Sequence, residues 1–348
     1  MVCFVVGFAG TGVSIALNFL PGVFICYGAI MGIGLGVGYL TPVKNLMLWF
    51  SDNKGLATGI AVAGFGLAKA IASPLMEYLI GTVGLVNMFF ILAVIYAVMM
   101  FFGFLLIKRP ADWVYDPATS HVSRAEILRK PVFWGIWIAF YINITCGLAL
   151  ISQEKDILHD VLKAFPQYAG LSPAKFAAAI AGIIGLVLAV DSVFNTAGRV
   201  GFSTLSDHLK RRETVYQVIF IMSIAVCLLQ IFTNSINNAL LWAVLAMLFL
   251  INAGYGGGFS TLPVLLDQHF GTKTVSTTHG LALSAWAFAG LSGNQLASFV
   301  VTHTPDQAHR YAALIPVLTG LFALALISIS LVKYLGGRNG EGKRSIGA

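Results

Sequence analysis

Long apolar runs that few charges interrupt dominate the chain. A helix needs about 20 such residues to cross the roughly 30 Å hydrocarbon core of a bilayer. We find ten candidate runs, at residues 2–19, 24–49, 56–80, 86–107, 132–152, 176–204, 215–233, 238–266, 276–301 and 311–334. The sequence therefore predicts an all-α polytopic membrane protein with about ten transmembrane helices.

The composition supports a protein whose main partner is the lipid bilayer. Hydrophobic residues make up 58% of the 348 residues and charged residues only 10%, whereas soluble domains carry about 25% charged residues. The net charge of +7 comes from basic residues in short loops and a tail. We therefore expect no nucleic-acid partner.

Lysine and arginine concentrate on one side of the predicted membrane, and the positive-inside rule places that side in the cytoplasm. These residues are Lys54, Lys108, Arg109, Arg124, Arg129, Lys130, Lys210, Arg211, Arg212, Lys273, Lys333, Arg338, Lys343 and Arg344. The opposite side carries only Lys155, Lys163, Lys175 and Arg310. We expect a multi-pass protein of the cell (plasma) membrane with both termini in the cytoplasm.

The two parts of the chain are related by a weak repeat. Residues 38–50 and 258–270 share the pattern Gly-aromatic-x-Thr, followed nine residues later by Phe, at an offset of 220. Repeats of this kind build many secondary transporters. We predict an incomplete four-helix half bundle at 1–107, a cytoplasmic linker at 108–131 and a six-helix bundle with a cytoplasmic tail at 132–348.

The repeat also predicts that helices are missing from the N-terminal end. The second half begins near position 131. At an offset of 220, its counterpart in the first half would begin at position −89, which is before the first residue of the given sequence. Either the chain lacks two helices of an expected twelve, as a fragment or truncated reading frame, or its second half has gained two.

One apolar run carries polar residues at a helical spacing. Asp191, Asn195 and Arg199 are four residues apart, so they share one helix face. The forked guanidinium of Arg199 suits a carboxylate ligand, although a structural arginine paired with another helix would fit the same position. Asp191 would serve proton coupling, partner a buried cation, or be a hydrogen-bonded packing residue.

Two lysines also lie within apolar runs. Lys69 lies near the middle of its run, where facing lipid would cost about 2.5–3.5 kcal/mol. We therefore predict that it faces a cavity or an acid, and that it either supplies a second positive charge to the substrate site or compensates Asp191. Lys44 is two turns from the end of its run, where its stem could reach the surface, and we assign it a coupling or gating role.

The most specific segment is 198–212, which contains Asp207 and Arg211 after a predicted helix. Its basic residues could bind the carbonyls of a helix C-terminus and the acid of a neighbouring helix. Such contacts would latch one conformation and open in another, which is a gating role. Simple anchoring at the inner surface would explain the same charges.

Glycines recur in the stretch 28–74, where Gly28, Gly32 and Gly36 are four residues apart. Small residues let membrane helices approach closely. The row predicts either tight helix packing or a smooth surface along which helices slide.

The sequence does not predict an enzyme. We find no phosphate loop, metal cluster, nucleophile elbow or dinucleotide fingerprint, so we expect no catalytic residues, no metal and no cofactor. The four cysteines, Cys3, Cys26, Cys146 and Cys227, each lie alone in an apolar run. That placement favours packing over a disulfide framework.

Several motifs resemble a known family. The segment Ser206-Asp207-His-Leu-Lys-Arg211-Arg212 resembles the cytoplasmic loop motif of the major facilitator superfamily. Within that superfamily, other segments look like the oxalate/formate antiporter family: Gly34-Leu-Gly36-Val-Gly38-Tyr39, Trp49-Phe50-x-Asp52-x-Lys54-Gly55-Leu56-Ala57-x-Gly59, Gly64-Phe65-Gly66, Arg129-Lys130-Pro131-x-Phe-Trp134 and Asn195-x-x-Gly198-Arg199.

This resemblance implies a twelve-helix fold, of which the chain would lack the first two helices. In the family's oxalate carrier an arginine and a lysine bind the dianion. Arg199 matches the arginine by its motif, whereas Trp286 stands at the place of the lysine. We count Arg199, Lys69, Trp286, Asn195 and Tyr39 as candidate substrate-binding residues.

The resemblance implies a secondary transporter that moves small organic anions by alternating access, as an antiporter or a proton-coupled carrier. Formate, oxalate and pyruvate are the type of carboxylate expected, and the missing lysine favours a monocarboxylate. The alternatives are a major facilitator carrier for an unrelated solute and a truncated membrane protein that transports nothing.

Overall fold

The computed structural model describes residues 1–111, 123–233, 237–305 and 311–344, and within these ranges it contains helices and no strand. The helices are α1 (Val2–Ala16), α2 (Leu20–Trp49), α3 (Lys54–Leu106), α4 (Arg124–Leu128), α5 (Pro131–Lys163), α6 (Pro173–Asp207), α7 (Glu213–Thr233), α8 (Asn237–Phe270), α9 (Val275–Ala282), α10 (Ser284–His303) and α11 (Leu314–Arg344). A 3₁₀ turn, Pro166–Tyr168, links α5 to α6.

Seven helices of the described chain are long and apolar enough to cross a membrane: α2, α3, α5, α6, α7, α8 and α11. Helices suit this composition because they satisfy every backbone polar group without water. Nine of the ten predicted apolar runs lie largely within a single helix, whereas the run at 276–301 spans α9 and α10. Two of the runs share α3, which is interrupted at Gly84, where φ is +81°, a conformation that glycine adopts without strain.

The chain divides into two compact units. Unit 1 comprises Met1–Asp52 and Leu67–Tyr115, and unit 2 comprises Asn53–Gly66 and Asp116–Ala348. The first turns of α3 therefore belong to unit 2 and the rest of that helix belongs to unit 1. Residues 112–122 of the predicted linker lie outside the described residues, while Arg124–Leu128 within it forms α4.

In unit 1, α1 packs against the first half of α2, where Phe24–Met31 is a π-helix. The apolar core of this unit is formed by Phe8, Met31, Leu79, Met88 and Leu92, with aromatic rings around them. The glycine row contributes less to this packing than expected. A methyl group added to Gly28, Gly32 or Gly36 would meet no atom within 4 Å, whereas one at Gly34 would collide with the α1 backbone at Phe4.

In unit 2, α8 packs against α5, α6 and α7, while α5 also contacts α10 and α11. Large side chains fill the space between these helices, and the fully buried ones include Phe133, Phe140, Tyr216, Phe220 and Phe322. This bundle carries the polar face of α6, which is the main candidate site.

The beginning of α3 packs on α6 through glycines. A methyl group at Gly55 would overlap the carbonyl oxygen of Ser203, and one at Gly59 would overlap the Ser203 hydroxyl. At Gly66 the obstructing group is the Thr196 hydroxyl. Glycine is needed at these positions because the two helix backbones approach too closely for a Cβ atom.

We expect Gly55→Ala to destabilise the protein by about 1–3 kcal/mol, because overpacking forces the backbones apart. The matched control is Gly64→Ala on the same helix, where an added methyl group meets nothing within 4 Å. This control should leave stability unchanged or raise it, since alanine favours helix by about 1 kcal/mol over glycine. Thermal unfolding in detergent measures both variants, and equal melting temperatures would contradict the close approach.

Candidate functional site

Helix α6 carries a stripe of polar residues on one face. Asp191, Asn195, Arg199, Ser203 and Asp207 follow one another at intervals of four residues. The first four of these residues are buried, and the side chain of Asp207 is only 4% exposed. Because residues four apart lie one above another on a helix, the stripe extends for about 24 Å along the bundle.

Arg199 is held by an amide and by aromatic rings. Its Nε donates a hydrogen bond to Asn195 Oδ1 at 2.8 Å. The central carbon of the guanidinium lies 5.2 Å from the ring centroid of Phe259 and 5.9 Å from that of Phe65. These distances suit cation–π attraction, which is stronger away from water, and Arg199 is only 5% exposed. The structure thus holds a charged, forked donor beside apolar rings.

Two amides connect Arg199 to Asp191. Asn195 Nδ2 donates to Asn252 Oδ1 at 2.7 Å, and Asn252 Nδ2 donates a short hydrogen bond to Asp191 Oδ2. All four residues are buried. The spacing along α6 predicted that Asp191, Asn195 and Arg199 share a face, whereas the linking residue, Asn252, comes from α8.

Trp286 is connected to Arg199 through the ring of Phe259, which contacts both residues. Its indole meets the ring of Phe259 edge to face, with centroids 5.3 Å apart, and Phe259 in turn stacks beneath the guanidinium of Arg199. The side chain of Tyr255 interacts with both Trp286 and Arg199. The structure therefore brings Trp286 together with Arg199 and Asn195 in an aromatic setting within unit 2.

The other three candidate residues of the first half belong to unit 1. Tyr39 is buried, and Lys44 is half-buried near the end of α2. The backbone of Lys69 is helical within α3, but its side chain lies outside the described part of the chain. The roles of these three residues stay predictions.

A second buried acid lies beside Asp191. Helix α5 continues to Lys163, eleven residues beyond the predicted end of its apolar run at 152, and Glu154 is only 2% exposed. Glu154, Asp191 and Asn252 line one cleft between α5, α6 and α8. The sequence analysis missed Glu154 because it ended the run at the first charged residues. Gly147 lines the same cleft, and Glu154 follows it at a spacing that places both residues on one helix face. This helical spacing could have identified Glu154 from the sequence.

Asp207 caps the beginning of α3. Its two carboxylate oxygens accept hydrogen bonds from the backbone nitrogens of Gly55 and Leu56, at 2.8 and 2.9 Å. These nitrogens have no acceptor within their own helix, and the helix dipole favours a negative charge there. Arg212 Nη2 lies 3.5 Å from Asp207 Oδ1.

A second acid holds the same helix end. Lys54 Nζ lies 2.8 Å from Asp267 Oδ2, with its side chain 17% exposed and that of Asp267 10% exposed. The Thr272 hydroxyl accepts from Lys54 and donates to Asp267 Oδ1 at 2.6 Å. The first residues of α3 are therefore fastened to α6 through Asp207 and to α8 through Asp267.

Arg211 contacts Glu213 and not Asp207. Its Nη2 lies 2.9 Å from Oε1 of Glu213, whose side chain is fully buried, and it also donates to the carbonyl oxygen of Lys333. His269 and Gln268 complete the cluster with contacts of 3.0 and 2.9 Å to Glu213. Arg211 thus joins α7 and α11, while its neighbour Arg212 is the arginine that meets Asp207.

Comparison with known proteins places the chain in a family. The family model described as Major Facilitator Superfamily matches residues 1–294. The chain is 27% identical to an uncharacterized MFS-type transporter, YhjX, of Escherichia coli (strain K12), over 73% of this chain and 59% of that protein. It is 24% identical to the oxalate:formate antiporter of Oxalobacter formigenes, over 88% and 69% of the two chains. It is 21% identical to the apicoplast pyruvate carrier 1 of Toxoplasma gondii, over 85% and 62%.

The alignments thus span 59–69% of the length of these three relatives.

Solved structures support the same fold. The transporter FucP in its outward conformation matches with a TM-score of 0.61 at 17% identity, over 94% of this chain and 80% of that one. A bacterial homologue of the iron transporter ferroportin matches with a TM-score of 0.65 at 13% identity, over 95% and 81%.

These matches confirm the predicted fold class and the resemblance to oxalate/formate antiporters. They place the protein in a family of multi-pass membrane transporters and not in a family of enzymes. The chain belongs to the Major Facilitator Superfamily.

Proposed function

We propose that the chain is a secondary transporter for small organic carboxylates of the formate, oxalate and pyruvate type. It works by alternating access, as an antiporter or a proton-coupled carrier, and a monocarboxylate is the preferred substrate. The observation that carries the proposal is the buried Arg199 guanidinium, which lies on a membrane helix beside the neighbouring rings of Phe259 and Phe65.

The chemistry of this arrangement suits an anion with a small apolar part. Arginine binds carboxylates through two parallel hydrogen bonds, which are stronger and more directional than the contacts of a lysine. The aromatic rings exclude water, which strengthens a charged contact. The names of two relatives, an oxalate:formate antiporter and a pyruvate carrier, support the same substrate class.

The other candidate residues receive roles in this proposal. Asn195 orients Arg199, and Trp286 forms a wall of the pocket. Lys69 and Tyr39 are assigned substrate-binding roles as well.

Asp207 and Arg211 hold helix ends in one conformation and release them in another, and Lys44 assists gating. Asp191 couples transport to a second ion. The protein resides in the plasma membrane with both termini in the cytoplasm.

Uptake by the purified chain in proteoliposomes tests the proposal. We expect uptake of radiolabelled formate or pyruvate above that of empty vesicles. Unlabelled oxalate, formate or pyruvate inside the vesicles should accelerate uptake if the chain exchanges anions. A neutral sugar should neither be taken up nor compete. Sugar uptake without carboxylate uptake would favour a carrier for an unrelated solute, and no uptake of either would favour a chain that does not transport.

A further inference from the structure

A row of aromatic side chains follows the first turns of α5. Trp134, Trp137 and Tyr141 are three and then four residues apart, so they share one helix face. Trp137 stacks on Tyr141, with ring centroids 5.4 Å apart and planes 11° from parallel, and the centroid of Trp134 lies 5.9 Å from that of Trp137. Phe288 of α10 adds a fourth ring, 6.0 Å from Trp137. We call these four residues the aromatic stripe.

The polar groups of the aromatic stripe are all bonded to protein atoms. Trp134 Nε1 donates to the carbonyl oxygen of Leu128 at 2.8 Å, Trp137 Nε1 donates to Ser284 Oγ at 2.9 Å, and the hydroxyls of Tyr141 and Ser292 are hydrogen-bonded at 2.9 Å. Tryptophan and tyrosine need such partners when they leave water. Trp134 is nevertheless 44% exposed and Phe288 57% exposed. The stripe therefore presents apolar ring surface to the hydrocarbon without an unpaired donor.

Cations lie at the end of α5 where the aromatic stripe begins. Residues 123–131 carry Arg124, Arg129 and Lys130 and one acid, Glu126, and all four side chains belong to exposed residues. Lys130 Nζ lies 3.4 Å from Glu126 Oε1 and 5.8 Å from the ring centroid of Phe270. This end of the surface thus has a net positive charge.

Helix α4 fixes the position of these cations relative to the stripe. Ile127 is fully buried, and the carbonyl of Leu128 accepts from Trp134, so α4 is fastened to α5. Arg124 is four residues before Leu128, which is 38% exposed, and the two share a helix face. Arg129 follows Ile127 by two residues, which places it on the side of α4 away from the bundle. We assign Arg129 no contact with a ligand of the stripe.

We propose that Arg124, Lys130 and the aromatic stripe form a binding site for one anionic phospholipid. The headgroup phosphate binds the two cations, and an acyl chain lies along the stripe. From Trp134 to Tyr141 the stripe covers about 10 Å at 1.5 Å per residue. Half of the hydrocarbon core is about 15 Å deep, so the stripe accompanies the greater part of one acyl chain. The inference concerns the lipid-facing surface of unit 2 and does not depend on the transported solute.

The two parts of the site together select an anionic lipid. A free phosphate ion would use the cations and leave the apolar rings without a partner. A zwitterionic headgroup brings its own ammonium group, which Arg124 and Lys130 repel. Each basic residue near an anionic headgroup is worth about fivefold in affinity. Because Glu126 offsets one of the two cations, we expect the protein to prefer phosphatidylglycerol about fivefold over phosphatidylcholine with the same acyl chains.

Native mass spectrometry of the purified chain, in detergent with equal amounts of the two lipids, measures this preference. The wild type should retain phosphatidylglycerol about fivefold more often, and Arg124→Gln/Lys130→Gln should lose the preference. Glu126→Gln should raise it to about 25-fold, because the competing acid is removed. The matched control, Lys155→Gln/Lys163→Gln, removes two exposed lysines at the opposite end of α5 and should behave as the wild type.

Quenching of tryptophan fluorescence by phosphatidylglycerol brominated on its acyl chains tests the stripe, because bromine quenches tryptophan only at short range. In phosphatidylcholine nanodiscs, brominated phosphatidylglycerol should quench the wild type along a curve that saturates at a low mole fraction. Brominated phosphatidylcholine should quench only in proportion to its amount. Trp134→Phe/Trp137→Phe should lose the saturating part. Trp242→Phe, which removes an indole of α8 that is 71% exposed, should retain it.

Four results would overturn the proposal. The first is equal retention of the two lipids by the wild type, and the second is a preference that persists in the variant lacking both cations. The third is a loss of preference of the same size in the matched lysine control, which would reduce the effect to net charge. The fourth is a saturating curve that persists without the two stripe tryptophans. Displacement of bound phosphatidylglycerol by inorganic phosphate would assign the cations to a free anion and would overturn the lipid site as well.

Discussion

Arg199→Lys is expected to weaken formate and pyruvate binding by about 10- to 100-fold, although the positive charge is kept. Lysine loses the fork that meets both oxygens of a carboxylate, and one charge-assisted hydrogen bond is worth about 1.5–3 kcal/mol. The substitution also removes the hydrogen bond from Nε to Asn195. Arg199→Gln, which lacks the charge, should abolish detectable binding.

Calorimetric titration of the purified variants, together with uptake in proteoliposomes, measures this effect. Arg129→Lys is the matched control, because Arg129 is exposed at the end of α4 and should tolerate the same exchange. Both proteins should elute as single species on size exclusion, so that a loss of binding is not a loss of folding. An Arg199→Lys protein with wild-type affinity would mean that Arg199 is a structural arginine.

Glu213→Gln is expected to destabilise the protein by about 3 kcal/mol. The Glu213 side chain is fully buried and meets both Arg211 and His269. Removing one partner of a buried charged cluster leaves the others unpaired, which typically costs about 3–5 kcal/mol. We expect the lower part of that range because the Arg211 side chain is 33% exposed and can recover water.

Thermal unfolding in detergent, followed by tryptophan fluorescence, provides the comparison. The control is Glu126→Gln, which removes the exposed pair of Glu126 and Lys130, with side chains 59% and 50% exposed and a separation of 3.4 Å. Exposed pairs contribute only about 0–1 kcal/mol, so this variant should unfold close to the wild type. Similar melting temperatures for the two variants would show that the Glu213 cluster does not hold the helix ends together.

The membrane class and the helices followed from local properties of the chain. An apolar run of about 20 residues has no stable alternative to a helix in lipid, because each backbone group must be paired within the segment. The shared face of Asp191, Asn195 and Arg199 follows in the same way from the helical period. The family could also be recognised, because its motifs are short continuous segments such as Ser206-Asp207.

The ends of the helices could not be predicted as well from these local properties. A charged residue ends an apolar run, but it does not end a helix whose flank is covered by protein. For this reason α5 continues past 152, and Glu154 reaches the cleft beside Asp191. The glycine row illustrates a similar limit, because spacing shows which residues share a face and not which face meets a neighbour. A methyl group at Gly28, Gly32 or Gly36 of that row meets no neighbour, whereas Gly34, which lies outside the row, approaches α1 closely.

The sequence by itself determined that the chain is an all-helical membrane protein of a transporter family, and it placed a buried arginine and acid on one helix. Tertiary structure alone decided which residues complete the arrangement. Asn252 is 61 residues from Asp191, and Asp207 caps a helix that begins more than 150 residues earlier. The physical reason is that helical spacing follows from backbone geometry within one segment, whereas contacts between helices depend on how their side chains pack.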